Sequence, residues 1–121
     1  MSGLWLALGI AAACGLGAAA RALVDGSVPD HLRRRFPWGL LVVNLTGSFA
    51  LGLLTGAALQ DPILAIAATG FLGGYTTFSS ASFDSVRLLG ERRYVAAILN
   101  GPGVLLAAVG LAVLGILITG P

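Results

Sequence analysis

The chain has no lysine, a single cysteine (Cys14), a single histidine (His31) and few charges of either sign. Charged residues make up 10% of it, against about 25% in an average soluble domain. One cysteine excludes an internal disulfide and a thiol-rich metal site. His31 stands on a short loop beside Arg33, Arg34 and Arg35 and reads as a solvated loop residue, which leaves acid–base catalysis few candidates. The chain is therefore not expected to be an enzyme. The scarcity of charge, with 57% hydrophobic residues and a mean hydropathy of +0.95, excludes a soluble globular domain and describes an integral membrane protein.

Four stretches, residues 1–20, 36–60, 62–83 and 94–121, hold no charged side chain. Each exceeds the roughly 20 residues a helix needs to cross the hydrocarbon core. The expected architecture is all-α: one transmembrane domain over residues 1–121, with spans at about 4–24, 37–59, 62–86 and 94–119. A cleaved leader is a poor reading of the first span, because no basic segment precedes it and Arg21 stands at its far end. For the same reason Ala11-Ala12-Ala13-Cys14 is a weak lipoprotein cleavage site.

Glycine, by contrast, is abundant. Gly3, Gly9, Gly15 and Gly17 in the first span, and Gly52 and Gly56 in the second, predict close helix packing, since lipid supplies no hydrophobic drive between helices. Arg21, near the end of the first span with Asp25 following, either snorkels to the headgroups or faces inward and holds an anion vestibule open. Pro37-Trp38 opens the second helix with a proline suited to a first turn and an interfacial aromatic. Asn44 lies deep in that span, where a primary amide must find a partner, and it can donate either to an anion or to a neighbouring helix. Asp61-Pro62 predicts a tight turn into the third span, and Asn100-Gly101-Pro102-Gly103 a kink in the fourth. From Val104 to Ile118 no side chain is polar, so this half faces lipid or a partner.

The densest signal is residues 70–83, which place Gly73-Gly74 and six hydroxyl side chains inside an apolar span. Paired glycines cost a helix about 1 kcal/mol each relative to alanine, so the third helix is expected to break at Gly73-Gly74. Broken backbone survives in a bilayer where it is buried in protein, lines a wet path or coordinates an ion. Its carbonyls are hard ligands that suit a cation such as sodium. Alternatively, Thr76, Thr77, Ser79 and Ser80 bond back to their own helix carbonyls.

All seven basic residues, Arg21, Arg33, Arg34, Arg35, Arg87, Arg92 and Arg93, lie in or beside the first and third connections. The second connection and both tails carry none. The positive-inside rule then places both connections in the cytoplasm and both termini outside a cell membrane crossed several times.

Thr69-Gly70-Phe71-x-Gly73-Gly74-Tyr75-Thr76-Thr77-Phe78-Ser79 resembles the signature of the CrcB/Fluc family of fluoride channels. Gly15-x-Gly17-Ala18-x-x-Arg21 resembles the end of that family's first helix. Trp38-Gly39-x-Leu41-x-Val43-Asn44-x-x-Gly47-Ser48-Phe49-x-x-Gly52 resembles its second. The resemblance implies an antiparallel dimer with fluoride pores at the subunit interface. It also implies a structural Na+ held there by backbone carbonyls at the positions of Gly73 and Thr76, a pore asparagine at Asn44 and a pore phenylalanine at Phe78. Fluoride is small and strongly hydrated, so donors such as the Asn44 amide and the positive edge of an aromatic ring must replace its water, and the Thr77 and Ser79 hydroxyls can continue the path. The implied mechanism is passive. HF enters across the bilayer, dissociates in a less acidic cytoplasm, and fluoride leaves down its electrochemical gradient, which lowers its toxicity.

Two departures stand out. The family's second phenylalanine, three residues after the first, is replaced by Ala81, with the next aromatic at Phe83, and the fourth helix has no polar track beyond Asn100. Together with the seven-to-none arginine bias they favour a heterodimer with an oppositely oriented homologue, in which one of two pores is degraded. A proton-coupled exporter of cationic drugs needs a carboxylate embedded in the membrane, and the first span has none, Asp25 and Asp84 standing at span ends. A noncatalytic membrane scaffold packing through its glycines leaves the polar cluster at 73–79 without a purpose. No nucleic-acid partner is expected.

Overall fold

The computed structural model describes residues 3–57 and 63–120, with only the backbone of Phe78 and Ser79. The expected turn at Asp61-Pro62 lies outside the described residues. Among the described residues six helical elements follow one another: α1 (Gly3–Gly26), a short α2 (Asp30–Arg35), α3 (Trp38–Gly56), α4 (residues 65–75), α5 (Phe78–Gly90) and α6 (Tyr94–Thr119). Among the described residues α1, α3 and α6 are each long and apolar enough to cross a membrane. α4 opens with wide π turns over Ala65–Leu72 and closes with one α turn, Gly73–Tyr75.

Two helix pairs make the body, and both are built on glycine. In the first, α3 lies along α6. A Cβ added at Gly52 would collide with the Ala112 carbonyl, and one at Gly115 would lie 2.6 Å from the Phe49 carbonyl oxygen. The Thr119 hydroxyl closes this seam by donating to the Leu53 carbonyl at 2.7 Å. In the second pair α1 lies along α4. Here a Cβ at Gly17 would strike the Phe71 carbonyl, one at Gly74 the Cys14 carbonyl, and one at Gly70 would sit 2.9 Å from Ala13 Cβ. Backbone meets backbone, which is how helices gain dispersion contact when burial from lipid contributes little.

The large apolar side chains point the other way. Only 11% of the most apolar window of α6 is buried, and Leu106 and Leu117 are exposed. Such a surface is stable only against hydrocarbon or another subunit.

The expected break at Gly73-Gly74 is not where the helix ends. Gly73 has helical torsions (φ −63°, ψ −37°), Gly74 lies within the following α turn, and none of the described glycines has a positive φ. The chain leaves the helix three residues later, at Thr76 (φ −82°, ψ 157°) and Thr77 (φ −148°, ψ 120°). Gly74 serves close packing on α1 instead of unwinding. In α6, the Gly101-Pro102 step is absorbed by wide π turns over Leu99–Gly103, since a proline removes an N–H and crowds the preceding turn.

α5 ends in a Schellman turn. The Arg93 N–H bonds the Leu88 carbonyl at 2.9 Å, the Arg92 N–H bonds that of Leu89 at 3.0 Å, and Arg92 takes φ 60° where glycine is usual.

Candidate functional site

The interruption between α4 and α5 leaves backbone groups that a bilayer cannot satisfy, and side chains do so. The Thr76 hydroxyl bonds back to the Leu72 carbonyl at 2.8 Å, and the Thr76 N–H bonds the same oxygen at 2.9 Å. Thr77 is the N-cap of α5: its hydroxyl accepts the Ser80 N–H at 3.3 Å. The Thr77 backbone itself is held from α3. Asn44 Nδ2 donates to the Thr77 carbonyl at 3.0 Å, and the Thr77 N–H donates to Asn44 Oδ1 at 2.9 Å. The pair is cyclic, an amide side chain matched to extended backbone as a neighbouring strand would be. Reversing the amide would set donor on donor, so its orientation is fixed. One Asn44 N–H and one carbonyl lone pair remain uncommitted by this pairing.

The sequence places this contact in a simple way. Asn44 and Gly47 are three apart on α3 and share a face. A Cβ at Gly47 would overlap the Thr76 methyl, so glycine lets α3 come close enough for Asn44 to reach.

A groove of about 620 Å³ opens beside the interruption. Asn44, Ser48, Thr76, Thr77, Ser82, Ser85 and Asn100 supply its polar lining, Gly73 and Leu72 add to it, and among the described residues no charged side chain takes part. A Cβ at Gly73 would meet nothing nearer than the Ala68 carbonyl at 3.9 Å, in contrast to its neighbour Gly74. Across the groove, buried Asn100 donates through Nδ2 to the Ala81 carbonyl at 2.9 Å and to Ser85 Oγ at 2.8 Å, tying α6 to α5. Neutral donors around a small cavity can strip and replace the hydration of an ion without trapping it as a fixed countercharge would.

The sequence-predicted residues divide as follows. Asn44, Gly73, Thr76 and Thr77 come together at the groove. The side chains of Phe78 and Ser79 lie outside the described set. Arg21 lies in a separate charged cavity of about 1090 Å³, with Asp25, Arg33, Arg34, Asp84 and Arg87. There Arg87 pairs with Glu91 at 2.9 Å and Asp84 at 3.5 Å, and Arg33 approaches Asp30 at 3.8 Å, whereas Arg21 forms no ion pair among the described residues. Tyr75 faces neither cavity. It stacks on Phe71 with ring centroids 6.0 Å apart and bonds Thr46 Oγ1 at 2.9 Å. Reading the sequence missed Asn100 and Ser85 as groove residues. The signal was present, since a primary amide in an apolar span needs partners wherever it occurs.

Thr77→Val keeps shape and backbone pairing but removes the cap. Its expected cost is about 1 kcal/mol, read as a lower denaturation midpoint in detergent. An unchanged midpoint would contradict the capping role.

The family model described as "CrcB-like protein, Camphor Resistance (CrcB)" matches residues 8–116. The chain is 47% identical over 117 residues to a protein of Leifsonia xyli named "Fluoride-specific ion channel FluC 1", covering 93% of this chain and 85% of the relative. It is 44% identical over 93 residues to "Fluoride-specific ion channel FluC 2" of Mycobacterium tuberculosis, covering 77% and 74%. It is 40% identical over 113 residues to "Fluoride-specific ion channel FluC" of Geobacter sulfurreducens, covering 89% and 88%.

Proposed function

The chain belongs to the CrcB family, and from that premise we propose that it is a fluoride-specific channel that lets cytoplasmic fluoride leave passively down its gradient. The carrying observation is the Asn44 amide pinned to the interrupted Thr77 backbone in a groove without charge. Fluoride is held by several short, strong hydrogen bonds in water, and the groove offers substitutes: the uncommitted Asn44 N–H and nearby hydroxyls. Thr77 continues the path at the start of α5, and the resemblance to the family assigns Phe78 and Ser79 to it as well. Arg21, which forms no ion pair among the described residues, draws anions into the charged cavity.

Four crossings follow if residues 63–90 traverse the membrane as α4, the interruption and α5. The seven arginines then stand at one end, since Arg21, Arg33, Arg34 and Arg87 line one cavity there and Arg35, Arg92 and Arg93 line its neighbour. That end is cytoplasmic and both termini are outside.

Na+ fits the end of α4. The Thr77 N–H goes to Asn44 instead of the Gly73 carbonyl, and the Ser80 N–H goes to the Thr77 hydroxyl instead of the Thr76 carbonyl, so these two oxygens are the candidate hard ligands. Among the described residues no group of three His, Cys, Asp or Glu could hold a metal. A bound Na+ would supply positive charge that holds the unwound backbone ends together.

The groove is open on one side, and an antiparallel second subunit would complete it. The arginine bias selects an oppositely oriented homologue as that partner rather than a second copy of this chain. Tag accessibility in intact cells is expected to find this chain in a single orientation. Equal labelling from both sides would overturn that assignment. Among the described residues no carboxylate lines the groove, as a proton-coupled exporter would need. Deleting the gene for this chain from its host tests the function: growth in fluoride is expected to fall, more at acid than at neutral pH because HF is the entering species. Unchanged fluoride sensitivity at both pH values would contradict it.

A further inference from the structure

A second groove, of about 990 Å³, lies between the start of α3 and the start of α6. Arg35, Arg92 and Arg93 line it where the connections meet the helices, and Leu41, Leu99, Val104 and Ala107 line it further along. Ala107 is 13 residues beyond Tyr94, so the groove follows α6 for about 20 Å at 1.5 Å per residue. That is somewhat more than the depth of one leaflet, about half of a 30 Å hydrocarbon core. Trp38 and Tyr94 are both exposed and both line the groove, and the Phe36 and Trp38 rings lie 4.9 Å apart. Such rings sit at headgroup level.

The three arginines share one distant acid, Glu91, which only Arg93 approaches. Among the described residues no Asp or Glu lines the groove. Arg35 and Arg92 form no ion pair among the described residues. Arg93 donates to the Arg34 carbonyl at 3.4 Å and comes no closer to Glu91 than 4.0 Å, while Glu91 is engaged at 2.9 Å by Arg87. The Schellman turn fixes Arg92 beside Arg93 at this corner. A free inorganic anion would use the guanidinium groups and leave the apolar length empty. A neutral lipid would fill the length and leave the cations unmatched.

We infer that this groove binds one anionic phospholipid, with its phosphate at Arg35, Arg92 and Arg93 and an acyl chain along Leu41, Leu99 and Val104 toward Ala107. Guanidinium forks suit a phosphate, and basic pockets between membrane helices on the cytoplasmic side take such headgroups. The assignment is independent of what the channel conducts.

The test uses the full chain, with any companion subunit, in bilayers that mix ordinary phosphatidylcholine with brominated phosphatidylglycerol or brominated phosphatidylcholine. Trp38 fluorescence is read in a Trp5→Phe background. The expected result is preferential quenching by the brominated anionic lipid, at least about tenfold in relative affinity, since one arginine near the surface contributes about fivefold. In the Arg35→Gln/Arg92→Gln variant the preference falls to within about twofold of parity. Arg33→Gln/Arg34→Gln, an equal charge change on the neighbouring cavity, leaves it intact. Equal quenching by both lipids in the unaltered arginine background overturns the site without recourse to a variant. An equal loss in both double variants reduces it to diffuse surface attraction, and no quenching by either lipid assigns the groove to a second subunit.

Discussion

Asn44→Asp is expected to abolish fluoride efflux while leaving an assembled protein. The carboxylate keeps an acceptor for the Thr77 N–H but has no donor for the Thr77 carbonyl, so half of the cyclic pair is lost and two oxygens face one another. A net hydrogen bond is worth about 1 kcal/mol, and leaving a buried acceptor unmatched costs about 1–3 kcal/mol. The electrostatic effect is larger. A fixed negative charge about 4 Å from a passing anion repels it by about 4 kcal/mol at an effective dielectric of 20. Efflux from vesicles should therefore fall by a factor on the order of 100 to 1,000. Efflux within threefold of the unaltered protein would remove Asn44 from the path and reduce it to a packing residue.

The second large effect is on folding. Gly52→Leu and Gly74→Leu each put a branched side chain where another helix has its backbone, at the Ala112 and Cys14 carbonyls. A side chain in the way can change rotamer, but a carbonyl in a helix cannot, so the helices must part. Overpacking ordinarily costs about 1–3 kcal/mol, and here it lies at or above that upper end, a large share of a domain's 5–15 kcal/mol. Both variants are expected to yield no monodisperse protein on size exclusion. Gly110→Ala is the control, since a Cβ there meets nothing within 4 Å, and it should be recovered at normal yield. Normal recovery of Gly52→Leu or Gly74→Leu would contradict the packing described for the two helix pairs.

The contrast between Gly73 and Gly74 explains what the sequence could and could not reveal. Two adjacent glycines in an apolar span read as a breaking point from propensity alone, yet propensity is a weak prior where tertiary contact is strong. Gly74 is glycine because α1 lies against it, and that contact comes from Cys14, sixty residues away in the chain. The actual exit from the helix carried a local signal of a different kind. Thr77 begins a helix as a hydroxyl N-cap, its side chain accepting the backbone N–H three residues on. Asn44 shows the same limit. Its need for a partner was legible, and both an anion and a neighbouring segment satisfied the sequence. The fold engages both sides of the amide with Thr77 and leaves one N–H for the groove. The three long apolar helices and the gathering of arginines at one end were readable directly, because span length and charge placement answer to the bilayer rather than to distant residues.

Fluoride is proposed to permeate through the groove at the interruption. The most direct test is efflux from liposomes reconstituted with protein purified from its own membrane through a tag on this chain, so that any companion subunit is retained. External fluoride and chloride are read by separate electrodes after the membrane potential is released. Rapid release of fluoride with chloride retained is expected, with loss of that release in Asn44→Asp. Chloride release at a comparable rate, or no fluoride release from folded protein, would contradict it.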